Sequence, residues 1–331
     1  MSGYGITGPQ KDVYLSSRVR LARNIVDYPY GSALDKTGAA EIAQRVKGAL
    51  CESGEYSWTD FSALAENEKL ALVEKNVASP EMLEKSNSSA IAENKEKGIA
   101  VLVGEEDHIR VQCIKQGLDI KGAFDGALEA ERLIDKKEKL AFSRELGYLT
   151  HCPTNLGTGM RASVMMFLPM LTATGEIRGL DGYLQKIGLT VRGEMGEGSR
   201  ARGCLYQISN RLSLGVTEEE ICSRLLEAVS TLADHERSLR ESARGSDISL
   251  EDRIMRSLGT ARYARQVSTD ELFRLYSDLR LGIALGYIDK SYDELDKLRI
   301  DCMSGALCCK AGRTLSAAER DRLRAETLRS F

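Results

Sequence analysis

Five arginines of this sequence stand beside short apolar runs, at positions where strand ends would present them. They are Arg18, Arg20, Arg110, Arg161 and Arg192. Arginine is always charged near neutral pH, and its forked N–H donors match the oxygens of a phosphate group. Five such groups could neutralise a triphosphate with little help from a loop. The chain has no Gly-Lys dipeptide, which excludes a Walker A loop, and it lacks the H-R-D and D-F-G signatures of protein kinases.

Carboxylates stand at the same places, at Glu105, Glu106 and Glu197. Carboxylates would not help to bind phosphate, but they form planar paired hydrogen bonds with a guanidinium group. Residues 105–107 are three acids in a row between two predicted strands, where like charges cost stability unless a cation lies between them. The residues by themselves therefore indicate a phosphate bound by arginines and a guanidinium bound by glutamates.

Residues 152–161, C-P-T-N-L-G-T-G-M-R, form a turn that brings further chemistry to this place. Gly157 and Gly159 allow a tight turn and the close approach of a ligand, because glycine has no Cβ. Cys152 and Arg161 stand at its two ends, which indicates an anion site with a reactive or polarisable wall. Arg18 and Arg20, two apart on a predicted strand, point to one face. Taken alone, that pair is typical of a solvated strand edge.

The composition limits the class of protein. The chain has 331 residues, 42% of them hydrophobic, which favours two domains. Its net charge of −3 argues against nucleic-acid binding, which usually needs a basic excess. No apolar run approaches the roughly 20 residues of a membrane helix, and the N-terminus has no signal-peptide core. Eight cysteines without a C-x-x-C pair argue against a metal site. We expect a cytoplasmic protein without membrane contact.

The elements that must position these residues are read from hydrophobic periodicity. Alternating or apolar runs predict strands over residues 12–24, 98–104, 109–114, 163–171, 189–192 and 205–214. Helical spacing predicts helices over residues 36–51, 64–77, 117–142, 180–187 and 217–243, and over 250–265, 269–285, 292–307 and 316–331. Polar residues 76–94 are expected to be a mobile surface segment. Because strands stop near residue 240, we predict a catalytic domain over 1–240 and an all-α domain over 241–331.

Four motifs together resemble the guanidino kinases, or phosphagen kinases, whose fold is an antiparallel sheet flanked by helices (α+β). They are S-S-R-V-R at 16–20, E-E-D-H-I-R at 105–110, the turn at 152–161, and R-G-E-M-G-E at 192–197. The short N-terminus, without an extra helical domain, and the helical tail resemble the bacterial protein-arginine kinases, which phosphorylate arginine side chains of proteins. R-D-R-L-R-A at 320–325 resembles the phosphoarginine-receptor motif of that family.

The resemblance assigns roles residue by residue. The catalytic residues would be Glu106 as base, Glu197 as its partner in gripping the guanidinium, and Cys152 lining the same pocket. The ATP contacts would be Ser16, Ser17, Arg18, Val19, Arg20, Asn76, Arg110, Arg161, Ala162, Ser163, Val164, Met165, Arg192, Gly193, Glu194, Met195, Gly196 and Glu197. Mg²⁺ would bridge the phosphates without a dedicated protein site. The family usually has histidine where this chain has Asn76, which is expected to alter nucleotide affinity.

The phosphoarginine site would consist of Arg320, Asp321, Arg322, Leu323, Arg324 and Ala325. Without the motif, these charges at i and i+4 would be an ordinary solvated helix face. The family further implies stress-response targets, a zinc-finger activator protein, an AAA+ protease and a homodimer. Two other functions stay open: a small-molecule guanidino kinase acting on free arginine or a related metabolite, and a catalytically weak phosphoarginine-binding adaptor. ATP turnover and a comparison of free with protein-bound arginine would separate the three.

Overall fold

The computed structural model describes residues 10–84, 89–193 and 201–331. Eight strands form one antiparallel sheet in the order β2-β3-β4-β5-β1-β8-β10-β9, and β6 pairs with β7 as a separate hairpin. The strands are β1 Tyr14–Arg23, β2 Ser57–Asp60, β3 Ala90–Asn94, β4 Ile99–Val103, β5 Ile109–Gln116, β6 Phe142–Ser143, β7 Gly147–Tyr148, β8 Met160–Phe167, β9 Leu189–Gly193 and β10 Leu205–Asn210.

Twelve α-helices are present in the described residues. Those before residue 244 are α1 Lys36–Cys51, α2 Glu66–Glu74, α3 Pro80–Glu84, α4 Ile120–Asp135, α5 Pro169–Ala173, α6 Ile177–Lys186 and α7 Glu218–Ala243. Those after it are α8 Ile248–Tyr263, α9 Thr269–Leu285, α10 Tyr292–Asp301, α11 Ser304–Ala311 and α12 Ala317–Leu328. The Thr217–Glu220 capping box predicted from the sequence starts α7, with the Thr217 hydroxyl accepting from the Glu220 N–H. The α+β class and the antiparallel sheet are confirmed.

One face of the sheet carries the main core. The alternation of β1 turns Val19 and Leu21 to this face, where α1, α4 and α7 cover them together with apolar residues of β4, β5, β8 and β10. Both side chains are completely buried. The same alternation forces Arg18 and Arg20 to the opposite face, so a period of two fixes which face can bind a ligand.

The opposite face is covered only at its two sides. At one side α2 and α3 pack on Ile91, Ala100 and Leu102 of the outer strands. At the other, the C-terminal helices share a core with Leu15 and with Phe167 and Leu205. The two groups of helices contact each other where α2 packs on α11. The packing is close: a Cβ on Gly305 of α11 would lie 2.6 Å from the backbone nitrogen of Ala71 in α2. The strip of sheet between the covers carries the arginines.

Several predicted boundaries were wrong. The polar composition of residues 76–94 predicted a mobile surface segment. Instead, residues 80–84 form α3, and residues 90–94 form strand β3 between β2 and β4. The predicted helix 117–142 ends at Asp135, and Phe142 opens the β6–β7 hairpin. Pro169 begins helix α5 rather than ending a strand, because its missing N–H is harmless at a helix start. The predicted helix 292–307 is two helices, α10 and α11.

An ion pair and a hydrogen bond join the C-terminal helices to Lys11, which lies just before β1. Buried Arg280 of α9 pairs with Asp296 and also donates to the backbone oxygen of Lys11, whose ammonium pairs with Asp293 at 2.6 Å. These contacts fix where α10 lies relative to β1, and the boundary near residue 240 stays a prediction. In the described residues, helices that combine the length and apolarity needed to cross a membrane are absent.

Candidate functional site

The strand register places the five arginines on one face of the sheet. Arg20 of β1 lies directly opposite Arg161 of β8 and opposite Gln112 of β5. Two residues along, Arg18 lies opposite Ser163 and Ile114. Opposed residues of antiparallel strands point to the same side, so Arg110, two residues before Gln112, shares this face. Arg192 of β9 shares the same face, because it lies opposite Gln207 of β10, and Gln207 lies opposite Met165 of β8.

The crowded guanidinium groups destabilise one another. Loss of hydration, together with the charges of Arg110 and Arg161, lowers the pKa of Arg18 to about 10. The same causes, with Arg18 added, lower the pKa of Arg20 well below its usual value. The Arg20 Nε is buried without a hydrogen-bond partner among the described residues. A polyanion bound on this face would relieve the repulsion between these half-buried guanidinium groups.

In the E-E-D-H motif between β4 and β5, one side chain pairs with an arginine of the cluster, and two others bond to neighbouring segments of the chain. Buried Glu105 pairs with Arg110 Nε at 2.6 Å, so it neutralises part of the arginine cluster. Burial raises the Glu105 pKa, and the Arg110 charge opposes that rise. We expected a cation among the acids of this turn. For Glu105, that cation is Arg110 of the chain itself.

Asp107 and His108 hold the surrounding backbone. The Asp107 carboxylate accepts from the Asn24 amide at 2.8 Å and from the His151 N–H at 2.6 Å, which ties this turn to the Cys152 turn. His108 Nδ1 accepts from the Ile25 N–H, so its Nε2 carries the proton and donates to the Pro29 oxygen. Burial lowers the His108 pKa, which favours this neutral form. Half-buried Glu106 makes neither an ion pair nor a hydrogen bond within the described ranges, which leaves its carboxylate available.

Neighbouring atoms of the chain already require glycine at two positions of the Cys152 turn. Gly157 has φ of 106°, and a Cβ there would lie 2.2 Å from the Ser213 oxygen. Gly159 has φ of 60°, and its Cβ would meet the Arg23 guanidinium at 2.5 Å. Half-buried Cys152 lies 3.0 Å from the Thr154 hydroxyl, measured from Sγ to Oγ1. Strand β8 begins at Met160, so Arg161 projects from regular strand and not from the turn.

Two amides that the sequence analysis missed position the predicted residues. Asn210 accepts from the Ala162 N–H and donates to the Met160 oxygen, so it grips the backbone on both sides of Arg161. Gln112 donates from its amide to the oxygens of Asn76 and Val77. Neither amide lies in a recognisable motif. Asn76 itself has φ of 58°, a left-handed conformation that asparagine tolerates better than most residues.

A cavity opens beside the arginines, between the sheet, the end of α2 and helix α10. Its lining includes Ser16, Arg18, Asn76, Ser163, Met165, Gln207 and Arg299. Five of these seven are ATP contacts predicted from the sequence. Gln207 and Arg299 were not predicted.

Other predicted contacts face away or cannot be placed. Ser17, Val19, Ala162 and Val164 alternate onto the core face, and the Ser17 hydroxyl donates to the Gly117 oxygen, so their side chains do not reach the arginine face. Gly193 ends β9. Glu194, Met195, Gly196 and Glu197 lie outside the described residues, so the distance between Glu197 and Glu106 is not defined.

The R-D-R-L-R-A residues lie on α12 with unequal exposure. Arg324 is completely buried, and it donates to the Cys302 and Val267 oxygens and to the Asp321 carboxylate at 2.6 Å. Arg320 is half-buried and donates to the Leu315 oxygen at 2.6 Å. Leu323 is half-buried and Ala325 is buried. Arg322 is exposed and pairs with Glu326. In this conformation Arg324 is part of the helical core.

Comparison with known proteins gives matches over most of the chain. The family model described as ATP:guanido phosphotransferase, C-terminal catalytic domain, matches residues 40–239. The model described as Protein-arginine kinase McsB C-terminal domain matches residues 247–331. A protein-arginine kinase of Halothermothrix orenii is 39% identical over 327 residues, which cover 98% of this chain and 94% of the relative. One of a Geobacillus species is 41% identical, covering 97% and 91%.

Solved structures of related phosphotransferases share the fold. The duplicated taurocyamine kinase from Schistosoma mansoni, with bound transition-state analogue components, matches with a TM-score of 0.63 and 28% identity. The match covers 72% of this chain and 35% of that one. Lombricine kinase matches with a TM-score of 0.61 and 26% identity, covering 74% and 71%. The arginine-bearing sheet therefore belongs to a fold that is shared with taurocyamine kinase and lombricine kinase.

Proposed function

This chain belongs to the protein-arginine kinases within the ATP:guanido phosphotransferase family, and on that premise we propose that it transfers the γ-phosphoryl group of ATP to arginine side chains of proteins. The observation that carries the proposal is the shared sheet face of Arg18, Arg20 and Arg161, where desolvation and the neighbouring arginines lower the pKa values of Arg18 and Arg20. A nucleotide polyphosphate supplies the missing negative charge, and the relatives' name supplies the acceptor.

Binding of the nucleotide follows from charge. The phosphates would lie over Arg20, Arg110 and Arg161, with Arg18 at the edge of the neighbouring cavity. Each N–H to phosphate bond is charge-assisted and stronger than a neutral hydrogen bond. Within the described residues, clusters of three or more His, Cys, Asp or Glu that could hold a metal ion are absent. We propose that Mg²⁺ enters with the nucleotide as MgATP and is part of the substrate.

The chemical step needs an in-line approach and a proton acceptor. A guanidinium nitrogen of the substrate attacks the γ-phosphorus, the new N–P bond forms, and the bond to the β,γ-bridging oxygen breaks with its electron pair leaving on ADP. A substrate guanidinium has a pKa above roughly 12, so its proton leaves as the N–P bond forms. Glu106 would accept it, because it directly follows Glu105, the ion-pair partner of Arg110, in the same turn, and its carboxylate pairs with none of the described residues. Positioning and charge neutralisation supply most of the acceleration.

Cys152 and Glu197 would complete the guanidinium seat. The turn that carries Cys152 is tied to the Glu106 turn by the Asp107 to His151 hydrogen bond, which supports a common pocket. A thiol here would contact the substrate guanidinium without forming a covalent bond. Glu197 would pair with the same planar group from the segment that follows β9.

A steady-state assay of ADP release tests the acceptor. MgATP is supplied with an arginine-rich protein, with the same protein after arginine blocking by a dicarbonyl reagent, and with free arginine. The proposal predicts turnover with the unmodified protein and little with the other two. Equal or faster turnover on free arginine would instead support the small-molecule guanidino kinase.

The finer roles rest on the family resemblance. We propose phosphoarginine binding at α12, regulated degradation and stress response as the setting, a zinc-finger activator and an AAA+ protease as partners, a homodimer, and the cytoplasm as location. Arg320→Ala tests the first: stimulation by a phosphoarginine peptide should be lost while basal turnover persists. Arg324→Ala is the wrong probe, because it removes a buried cation with three acceptors and should destabilise the fold.

A further inference from the structure

Helix α10 of the C-terminal helices forms one wall of the cavity beside the arginine cluster. It contributes Arg299 and Ile300, opposite sheet residues that include Ser163 and Gln207. The motifs that define the catalytic family lie in the sheet region, so they identify no nucleotide contact on this helix.

The strand register shows which part of a nucleotide the cavity would take. Arg20, Arg161 and Gln112 form one row across the sheet, and Arg18, Ser163 and Ile114 form the next row. A third row holds Ser16, Met165 and Gln207. The cavity is lined by the second and third rows and not by Arg20, Arg110 or Arg161. With phosphates over the first row, the cavity lies at the nucleoside end.

Arg299 is held in this wall by aromatic packing. It is buried, and its guanidinium carbon lies 5.3 Å from the centre of the Tyr276 ring. Tyr276 of α9 is itself buried, and its hydroxyl donates at 2.5 Å to Asp296, which lies on α10 with Arg299. Guanidinium planes stack on aromatic bases, and they also donate hydrogen bonds to ribose or phosphate oxygens. Ile300, half-buried beside it, adds an apolar surface suited to a base.

We infer that α10 forms the outer wall of the nucleoside pocket and that Arg299 contacts the bound nucleotide. The inference rests on the proposed function, because it takes ATP as the ligand of this cleft. It makes the C-terminal helices part of the nucleotide site, so that any movement of α10 relative to β1 changes nucleotide affinity.

Calorimetric titration with two ligands distinguishes contacts to the nucleoside from contacts to the phosphates. ADP carries both ends, whereas inorganic tripolyphosphate carries only phosphates. The variants are Arg299→Ala and Arg299→Lys, with Arg256→Ala as the matched control, because Arg256 is an exposed arginine of α8 paired with Asp252. Ile300→Ala probes the same wall without removing a buried charge.

Arg299→Ala should weaken ADP binding about ten-fold, the size of one charge-assisted contact, and leave tripolyphosphate binding unchanged. Arg299→Lys should recover part of the loss, Ile300→Ala should weaken ADP alone, and Arg256→Ala should bind both ligands as the wild type does. Wild-type ADP affinity in both Arg299→Ala and Ile300→Ala would overturn the inference, as would an equal loss of tripolyphosphate. A wild-type protein that binds neither ligand would overturn the proposed function itself.

Discussion

Arg20 and Arg161 lie directly opposite each other on antiparallel strands β1 and β8, so two guanidinium groups share one face at a paired position. Like charges opposed in this way destabilise a sheet. The pKa of Arg20 is lowered first by loss of hydration and then by repulsion from the neighbouring arginines, Arg161 among them. The free protein therefore maintains an arrangement that a bound polyanion would stabilise.

Removing one of these arginines should separate stability from binding. Arg161→Ala is expected to change the free energy of unfolding of the nucleotide-free protein little, because the loss of a repulsive neighbour of Arg20 offsets the loss of the Arg161 hydrogen bond to Ser209. ATP affinity should fall by about ten-fold or more, since a charged hydrogen bond contributes ~1.5–3 kcal/mol. Urea denaturation and calorimetry measure the two effects, with Arg256→Ala as control. A variant that binds ATP normally would contradict the role of this face.

The two neighbouring glutamates should fail in different ways. Glu106→Gln should bind ATP as the wild type does and lose most phosphorylation, because its carboxylate would take up the proton in the transfer step. Glu105→Gln should weaken ATP binding and stability, because it removes the buried partner of Arg110. Binding and turnover measured side by side distinguish the two, and near-normal turnover in Glu106→Gln would refute the base assignment.

The Cys152 turn should tolerate alanine poorly at Gly157. A Cβ there would overlap the Ser213 oxygen and would also need a positive φ. Gly215 makes a matched control, because it has φ of 74° with open space around its would-be Cβ. Gly215→Ala should cost about 1 kcal/mol from backbone strain alone. Gly157→Ala should lower the free energy of unfolding, measured by heat or urea, by at least ~3 kcal/mol, because steric overlap is added to backbone strain. Equal losses of stability in the two variants would contradict a steric requirement for glycine at position 157.

His108 should give the fold a pH dependence on the acid side. Burial lowers its pKa in the folded state, although the Pro29 hydrogen bond and Asp107 act in the opposite direction. Below its unfolded pKa of about 6.5, the unfolded chain binds a proton that the folded chain binds less readily. Stability therefore falls as pH drops from about 6.5 towards the folded pKa, by up to ~1.4 kcal/mol per pH unit.

Replacing the imidazole isolates this contribution. His108→Gln should be less stable at pH 7 but should have a shallower loss of unfolding free energy between pH 7 and pH 5. The other titratable groups, including Glu105, whose pKa burial raises, are present in both proteins, so their contributions cancel in the difference. Parallel stability curves for the two proteins would contradict the assignment.

The sequence could predict what depends on local pattern. The alternation around Arg18 and Arg20, the glycine-bounded run that became β4, and the capping box at Thr217 each carry their signal within a few residues. The register that opposes Arg20 to Arg161 could not be predicted in this way, since it depends on strands about 140 residues apart along the chain. The buried strand β3 was missed because its flanking residues are polar, although its own Ala90, Ile91 and Ala92 are almost completely buried.

The site was predictable only as far as its motifs reached. Arginines and glutamates stand in recognisable runs, whereas Gln112, Asn210 and Arg299 act through distant partners and have no signature of their own. The contiguous motifs also include Ser17, Val19, Ala162 and Val164, whose side chains strand alternation turns to the core. A motif therefore identifies a segment, and the period of the strand decides which of its side chains reach the ligand.

The most direct measurement is mass spectrometry of a casein-like protein after incubation with the enzyme and MgATP, with samples kept near neutral pH because the P–N bond is acid-labile. Wild type and Glu106→Gln are compared at equal nucleotide saturation. We expect phosphate on arginine residues in the wild-type reaction and almost none with Glu106→Gln. Phosphate found on serine, threonine or tyrosine instead, or no phosphate on arginine with a wild-type protein that binds ATP, would contradict it.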